Sequence, residues 1–272
     1  MINKMIGQKR IITWLDSVLD NAPKFIIFVA PRGCGKRMLA KYWAQRLGAT
    51  YAPCGVKVEE VREVINASYT VKDKMLYCFE DADTMRAEAK NAMLKVTEEP
   101  PKNAYFVMTV EDDSSLLDTI KSRGYVVALD PYSVEDIRNY IIQSHPDFSR
   151  ERLDTIANIA SCPREAELMI TYGDEFMDYV ELVVDNIGEV ASANSFKSSS
   201  KLALKNEEDK YDLKVFWNAF ILVCLKRVTS DPLHYARGID VTTPFLKMCD
   251  RLGVNKSQLY DNWVFEIREV WA

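Results

Sequence analysis

The chain has 272 residues, enough for two or three domains with buried cores. Hydrophobic residues make up 48% and charged residues 28%, and 10 Gly and 10 Pro are too few for a fibrous or disordered protein. The formal net charge of −5 excludes a strongly basic nucleic-acid coat protein, so any contact with DNA would need a local patch.

The first 130 residues alternate helical segments with short apolar runs, a pattern that predicts a parallel α/β sheet. Helical spacing of apolar residues is found in four segments, 11–19, 37–47, 58–67 and 87–96. Continuous apolar runs predict four buried strands, at 25–29, 75–79, 105–110 and 125–129. The predicted fold class of this part is therefore a parallel sheet flanked by helices.

No strand is predicted after Pro131. Ser133, Ser149 and Pro163 are each placed to begin a helix, which predicts a small three-helix module. The polar stretch Ser192–Lys210 predicts a mobile connection. Beyond it, helices are predicted at three places, 211–228, 244–252 and 257–271. These patterns divide the chain into three predicted domains, 1–131, 132–174 and 175–272.

The N-terminal residues lack the pattern of a signal peptide. The longest apolar run, Val215 to Leu225, falls short of the roughly 20 residues that a membrane helix needs. The 6 Cys occur singly, without the C-x-x-C spacing of a zinc site or a disulfide framework. Reduced core thiols are the favoured interpretation, so we predict a cytoplasmic protein without a membrane partner.

The loop after the first predicted strand has the composition of a phosphate-binding loop. Its residues are Ala30, Pro31, Arg32, Gly33, Cys34, Gly35, Lys36 and Arg37. The two glycines permit backbone angles that turn successive N–H groups inward, and the next helix directs its positive end to the same point. Lys36 would reach the outer phosphates of ATP or ADP. An ordinary strand-to-helix turn is the alternative, but the flanking strand and helix favour phosphate binding.

Position 37 departs from this motif, which needs Ser or Thr because the hydroxyl group is a ligand of Mg²⁺. Arg37 cannot coordinate a cation, and it adds positive charge where the metal would lie. Its side chain would either extend into solvent or pair with phosphate oxygens and partly replace the charge of the ion. Both outcomes weaken metal-assisted hydrolysis, so we predict weak or absent Mg²⁺ dependence and no resident metal.

A second candidate motif, Glu80-Asp81-Ala82-Asp83, follows the predicted strand at 75–79. In phosphate-loop ATPases a carboxylate at this strand end holds Mg²⁺, and a neighbouring Glu polarises the attacking water. Here the usual Asp-Glu order is reversed, and Asp81 is one methylene shorter than the expected base. A solvated acidic loop is the alternative interpretation. The phosphate-binding loop one strand earlier favours a nucleotide site with a degenerate acidic pair.

Four further segments occur in a distinctive order. They are Met5-Ile6-Gly7-Gln8, the stretch Asn91–Pro101 (NAMLKVTEEPP), the stretch Leu116–Gly124 (LLDTIKSRG) and Ser161–Ala166 (SCPREA). The second is similar to the NALLKTLEEPP segment of bacterial clamp-loader subunits, and the third resembles their LLxTIxSRC segment with Gly124 in place of Cys. The chain thus resembles the clamp-loader subunits of the AAA+ class from Met5 to about Ile170.

This resemblance implies an AAA+ phosphate-loop core, a three-helix lid and an all-helical collar. It implies a hetero-oligomeric ring with other clamp-loader subunits, which opens a sliding clamp and places it on primer–template DNA. Arg123 would be an arginine finger directed into the ATP site of a neighbouring subunit, an effect worth on the order of 10³ to 10⁵ in rate. Gln8, Thr109 and Arg164 would contact nucleotide as the N-terminal box and two sensor residues. The alternatives are a surface cation for Arg123 and a structural role for Thr109.

Bacterial relatives of this kind commonly carry a four-cysteine zinc module before the acidic strand. Here residues 47–74 contain only Cys54, so we predict no zinc. A nucleotide site that has lost its metal ligand at position 37, together with an intact arginine finger at Arg123, is the pattern of delta-prime subunits. The predicted function is that of a delta-prime-like clamp-loader subunit with little ATPase activity of its own. Two alternatives stay open, an active AAA+ ATPase with atypical motifs and a structural ring subunit that binds no nucleotide.

Overall fold

The computed structural model describes residues 6–189, 201–203, 210–249 and 253–271. The chain forms two compact units, Met1–Asn139 and Tyr140–Ala272. The finer division into three domains, with boundaries after residues 131 and 174, stays a prediction.

The first unit contains a five-stranded sheet in the order β2-β3-β4-β1-β5, in which every pair of neighbours is parallel. The strands are β1 (Phe25–Val29), β2 (Thr50–Cys54), β3 (Met75–Phe79), β4 (Ala104–Val110) and β5 (Tyr125–Ala128). The helices of this unit are α1 (Lys9–Ser17), α2 (Lys36–Leu47), α3 (Val58–Ser68), α4 (Ala87–Glu98) and α5 (Asp118–Lys121). The predicted parallel α/β class is confirmed.

Apolar cores cover both faces of this sheet, because the side chains of a strand alternate between its two faces. On β1, Phe25 and Ile27 belong to one core, whereas Ile26 and Phe28 belong to the other. Burial on both faces explains why the central strands have continuous apolar sequences. Parallel register brings the carboxyl ends together, with Val29 beside both Val110 and Ala128. The loops that follow β1, β3 and β4 therefore emerge at one edge.

Strand β2 was not predicted from the sequence. It lies at the edge of the sheet beside β3 and is partly exposed along its length, so it lacks the continuous apolar run of a central strand. Pro53 lies within it, which an edge strand tolerates because one side of its backbone has no ladder partner. The strand places Tyr51 in the second core and near the acidic loop after β3.

The chain after β5 is mainly helical. Its helices are α6 (Val134–Ser144), α7 (Arg150–Ile159), α8 (Pro163–Tyr172), α9 (Glu175–Asn186), α10 (Leu213–Arg227), α11 (Pro232–Cys249) and α12 (Lys256–Trp271). The three predicted starts of the small module are confirmed: Ser133 exchanges hydrogen bonds with Asp136, Ser149 Oγ accepts one from the Arg152 N–H, and Pro163 occupies the first turn of α8. None of the helices in the described ranges is both long and apolar enough to cross a membrane.

Two predictions for this region were wrong, and one helix was missed. Two short parallel strands, β6 (Leu202–Ala203) and β7 (Tyr211–Asp212), pair with each other after the point where strands were expected to stop. Helix α9 was not predicted. Pro244 lies inside α11 instead of beginning a helix. Most of the predicted connection Ser192–Lys210 lies outside the described residues.

Candidate functional site

The loop between β1 and α2 has the backbone of a phosphate-binding loop. Gly33 and Gly35 both have a φ of 85°, in the left-handed region that glycine adopts without steric cost. Helix α2 begins at Lys36, directly after Gly35, so its free N–H groups point towards the loop. The predicted strand–loop–helix arrangement is confirmed. A helix N-terminus and inward N–H groups suit an anionic phosphate.

Lys36 is buried, with 7% of its surface exposed. Its ammonium group donates hydrogen bonds to the carbonyl oxygens of Ala30 (2.5 Å) and Pro31 (3.1 Å), both in its own loop. Burial lowers the pKa of Lys36, and the nearby carboxylates, above all Glu111, partly offset that effect. To reach a phosphate, the ammonium group would exchange hydrogen bonds to its own loop for hydrogen bonds to the ligand.

Arg37 pairs with Glu80, the first carboxylate after β3. The second oxygen of Glu80 accepts a hydrogen bond from the Tyr51 hydroxyl at 2.9 Å. Burial raises the pKa of Tyr51, which keeps the hydroxyl protonated as a donor. Arg37 thus has a partner that the sequence did not suggest, a carboxylate of the protein. The two positions that would supply Mg²⁺ ligands in an active phosphate-loop ATPase are joined by an ion pair.

Asp81 and Thr109 form the next part of the site. Asp81 has a φ of 53°, unusual for a non-glycine residue, and its N–H donates to Thr109 Oγ1 at 3.2 Å. Thr109 is buried at the end of β4. Its hydroxyl group therefore holds the backbone of the acidic loop, a structural contact that agrees with the alternative weighed for this residue. Its predicted sensor role stays a prediction.

Asp83 and Glu111 are two acids at this edge whose role the sequence analysis did not identify. Asp83 is buried, and its Oδ2 accepts a hydrogen bond from the Glu111 N–H at 3.2 Å. Burial raises the pKa of Glu111, Lys36 opposes that shift, and Asp83 adds to it. Glu111 directly follows β4. Because carboxyl ends of parallel strands meet at one edge, its position after a predicted strand was the signal that could have identified it.

Gln8 is buried and uses its whole amide group on the main chain after β5. Its Nε2 donates to the carbonyl oxygen of Asp130 at 2.7 Å, and its Oε1 accepts from the Asp130 N–H at 2.9 Å. Nearby, the Tyr132 hydroxyl donates to the Cys34 carbonyl oxygen at 3.2 Å. A Cβ at Gly7 would lie 3.0 Å from the Tyr132 ring. The Gly7-Gln8 box supports the segment that lies against the phosphate-binding loop, and its predicted nucleotide contact stays a prediction.

Arg123 is held within its own chain by the two segments that carry the clamp-loader resemblance. Its guanidinium group pairs with Glu98 at the end of α4 and donates to the Thr119 carbonyl oxygen at 2.5 Å. Gly124 follows, where a Cβ would lie 2.7 Å from the Phe25 ring, so no larger residue fits without a shift. Arg164 is exposed near the start of α8, in the second unit.

The residues at this site fit a nucleotide better than they fit a metal ion. Inward-turning glycines, a helix N-terminus and Lys36 are suited to phosphate. Mg²⁺ prefers oxygen ligands in octahedral geometry, and the Glu80 carboxylate is instead paired with a guanidinium group. Across the described residues, no group of three or more His, Cys, Asp and Glu side chains is placed to hold a metal ion.

Comparison with known proteins shows what the chain is similar to. Residues 54–133 match the family model described as DNA polymerase III, delta subunit. The chain is 27% identical over 195 residues to DNA polymerase III subunit gamma of Buchnera aphidicola, covering 58% of this chain and 54% of that protein. It is 30% identical over 122 residues to the delta-prime subunit of Bacillus subtilis, covering 45% of this chain and 36% of that protein. The chain thus spans about half or less of these curated relatives.

The fold is shared with a solved structure. The structure described as the Thermotoga maritima RuvB Holliday junction branch migration motor has a TM-score of 0.53 and 17% identity, covering 98% of this chain and 87% of that chain. At that identity the likeness establishes the fold alone. The predicted AAA+ class, an α/β core followed by a helical region, is confirmed.

Proposed function

We propose that this chain, a clamp-loader-like AAA+ subunit, is a delta-prime-like member of a DNA-replication clamp loader. It joins other clamp-loader subunits in a hetero-oligomeric cytoplasmic ring that places a sliding clamp on primer–template DNA. Its own site binds ATP or ADP with little dependence on Mg²⁺ and hydrolyses ATP slowly or not at all. It offers Arg123 to the ATP site of a neighbouring subunit.

The observation that carries the weak-hydrolysis proposal is the ion pair between Arg37 and Glu80. The Arg37 side chain is 61% exposed, so the pair adds little to stability, and its importance lies in charge. Two unit charges about 4 Å apart near a protein surface interact by about 4 kcal/mol before solvent screening reduces the effect. The guanidinium group takes up the Glu80 carboxylate that a divalent cation would need as a ligand, so a cation would have to displace Arg37 from Glu80.

Loss of the metal removes the main source of charge stabilisation for phosphoryl transfer, which depends mostly on electrostatics and positioning. The acid that would polarise water is also weakened, because Asp81 is short. Its backbone is held by Thr109 in a left-handed conformation. Both effects favour a site that binds nucleotide without rapid turnover.

The contacts of Arg123 are compatible with action on a neighbour. A guanidinium group has five N–H donors, and the hydrogen bonds to Glu98 and Thr119 use only part of them. The same contacts hold the planar group in one orientation, which lowers the entropy lost when it binds a phosphate. Glu98 and Thr119 would thus act as positioning residues for the finger.

Nucleotide titration of the purified chain, with Mg²⁺ and with excess chelator, tests this proposal. We expect similar dissociation constants in both conditions and no steady hydrolysis by the isolated chain. Mg²⁺-dependent turnover by the chain alone would contradict the proposal and support an active ATPase with atypical motifs. A complete lack of binding would support a structural ring subunit instead.

A further inference from the structure

Hydrogen bonds of the Ala30 main chain bring Glu111 and Lys36 to the same part of the site. The Ala30 N–H donates to the Val110 carbonyl oxygen at 3.2 Å, which fixes the residue after Val110, Glu111, beside the phosphate-binding loop. The Ala30 carbonyl oxygen in turn accepts the hydrogen bond from the Lys36 ammonium group at 2.5 Å. The carboxylate of Glu111 raises the pKa of Lys36, against the larger effect of burial.

Asp83 extends this acidic side into the interior. Only 9% of its surface is exposed. Its Oδ2 accepts the Glu111 N–H, whereas its Oδ1 is buried without a hydrogen-bond partner among the residues that the structure describes. A buried carboxylate oxygen without a donor is costly, so it strongly favours a nearby cation over another anion. The cation at hand is Lys36, whose positive form Asp83 stabilises.

Both positive and negative side chains face the end of the phosphate-binding loop. Lys36 of α2 and Arg32 of the loop are positive, whereas Asp81 and Asp83 after β3 and Glu111 after β4 are negative. Arg37 adds nothing to this balance, because it is paired with Glu80. In a metal-dependent site Mg²⁺ would add two positive charges where the outer phosphates lie.

A phosphate-loop lysine contacts the outer phosphates, so a third phosphate on this loop would approach the acids that surround Lys36. The second phosphate would instead lie at the loop N–H groups and the start of α2, where the field is positive. We propose that Asp83 and Glu111 make this site selective for a nucleoside diphosphate over a nucleoside triphosphate. This selectivity rests on the proposed nucleotide site.

The test is direct binding of ADP and ATP in the presence of chelator, by calorimetry on the full chain. We expect wild-type protein to bind ADP about tenfold more tightly than ATP. Glu111→Gln, which keeps the shape but removes the charge, should tighten ATP binding to within about twofold of ADP, with a smaller change in ADP binding. Glu63→Gln, an exposed acid on α3, is the matched control and should keep the wild-type ratio.

Asp83→Asn gives a second, independent variant, because its carbonyl oxygen can still accept the Glu111 N–H. This variant should also bring the dissociation constants of ADP and ATP closer together. Equal binding of ADP and ATP by wild-type protein would overturn the selectivity but leave the nucleotide site standing. An equal change in the dissociation constants of ADP and ATP in the variants would also overturn the selectivity. Binding of neither nucleotide would overturn the proposed site and the selectivity together.

Discussion

The phosphate-binding loop and the acidic edge opposite it belong to one site, but they keep different amounts of the expected chemistry. The loop has its two left-handed glycines, a helix beginning beside them and a buried lysine. At the acidic edge, Glu80 pairs with Arg37, and Asp81, in a left-handed backbone conformation, donates its N–H to Thr109. Phosphate binding by the loop would depend on backbone geometry, whereas the chemistry of the acidic edge depends on particular side chains.

Under the proposed function, this difference separates nucleotide binding from hydrolysis. Backbone N–H groups and a helix dipole act on any phosphate and survive substitution of neighbouring side chains. Metal-assisted hydrolysis needs a hydroxyl group, a carboxylate and a base together, so replacement of one ligand disables it. A subunit of this kind can retain a nucleotide as a structural ligand and leave hydrolysis to its neighbours.

The largest expected effect concerns Arg123, which tests whether hydrolysis has moved to a neighbouring site. Arg123→Ala should lower the rate at the site that it faces by about 10³ or more, since the transition state loses a fixed positive charge. Arg123→Lys should rescue poorly, because an ammonium group cannot reproduce the planar fork. The measurement is steady-state ATPase activity of the reconstituted assembly with clamp and primed DNA.

The nucleotide affinity of the Arg123→Ala chain itself is the control, and it should be nearly unchanged. An unchanged ATPase rate in the mutant assembly would mean that Arg123 is not a finger. Loss of binding by the isolated variant would place Arg123 in its own site, and the delta-prime interpretation would weaken with it.

The next largest expected effect tests the phosphate-binding loop. Lys36→Ala removes the charge that would contact the outer phosphates, so nucleotide binding should weaken by about 100-fold or more. Lys72→Ala, on an exposed lysine before β3, removes the same charge from the opposite end of the strand and should leave binding unchanged. Calorimetric titration of both variants checks this. Near-normal binding by Lys36→Ala would show that backbone groups alone suffice.

Restoring the predicted metal ligands tests the acidic edge. Arg37→Thr with Glu80→Asp and Asp81→Glu returns a hydroxyl group, a metal-binding carboxylate and a longer base. In the assembly we expect Mg²⁺-dependent ATPase activity to rise by about tenfold at this site, with Arg37→Thr alone restoring only metal-dependent binding. Steady turnover by the wild-type chain at an ordinary ATPase rate would contradict the premise that the ion pair disables hydrolysis.

The smallest expected effect concerns Tyr51, which tests how firmly the ion pair is held. Tyr51→Phe removes its hydrogen bond to Glu80 and should reduce the free energy of unfolding by about 1 kcal/mol. Tyr69→Phe, at a tyrosine that is 51% exposed, is the matched control and should have little effect. Urea denaturation of the two variants gives the comparison. Equal stability would mean that water replaces the lost hydroxyl group without cost.

Much of the fold could be predicted because its signals are local. Strand β1 is a continuous apolar run that leads directly into a glycine-containing loop, and α4 lies in a segment with a recognisable family sequence. Strand β2 could not be predicted, because an exposed edge strand has neither strict alternation nor an apolar run. Pro244 misled the helix assignment, because α11 continues through it although proline usually begins or ends a helix.

The candidate site divides in the same way. Gly33, Gly35 and Lys36 are adjacent in sequence, so their arrangement follows from one strand–loop–helix unit. The partner of Arg37 does not follow, because Glu80 lies after another strand and its position depends on the order of strands in the sheet. Side-chain pairing between distant segments is a tertiary property, and periodicity within one segment carries no information about it.

Gly124 has a consequence for how relatives of this chain vary. A Cβ added at Gly124 would lie 2.7 Å from the Phe25 ring. The side chains that fit at these two positions, far apart in sequence, therefore depend on each other. Gly124 precedes β5, whose first residue, Tyr125, pairs with Ile26 on β1, so the backbones at both positions are fixed by strand pairing. In relatives with Cys at the position of Gly124, a residue smaller than Phe should therefore be found opposite it. The two positions should covary across an alignment.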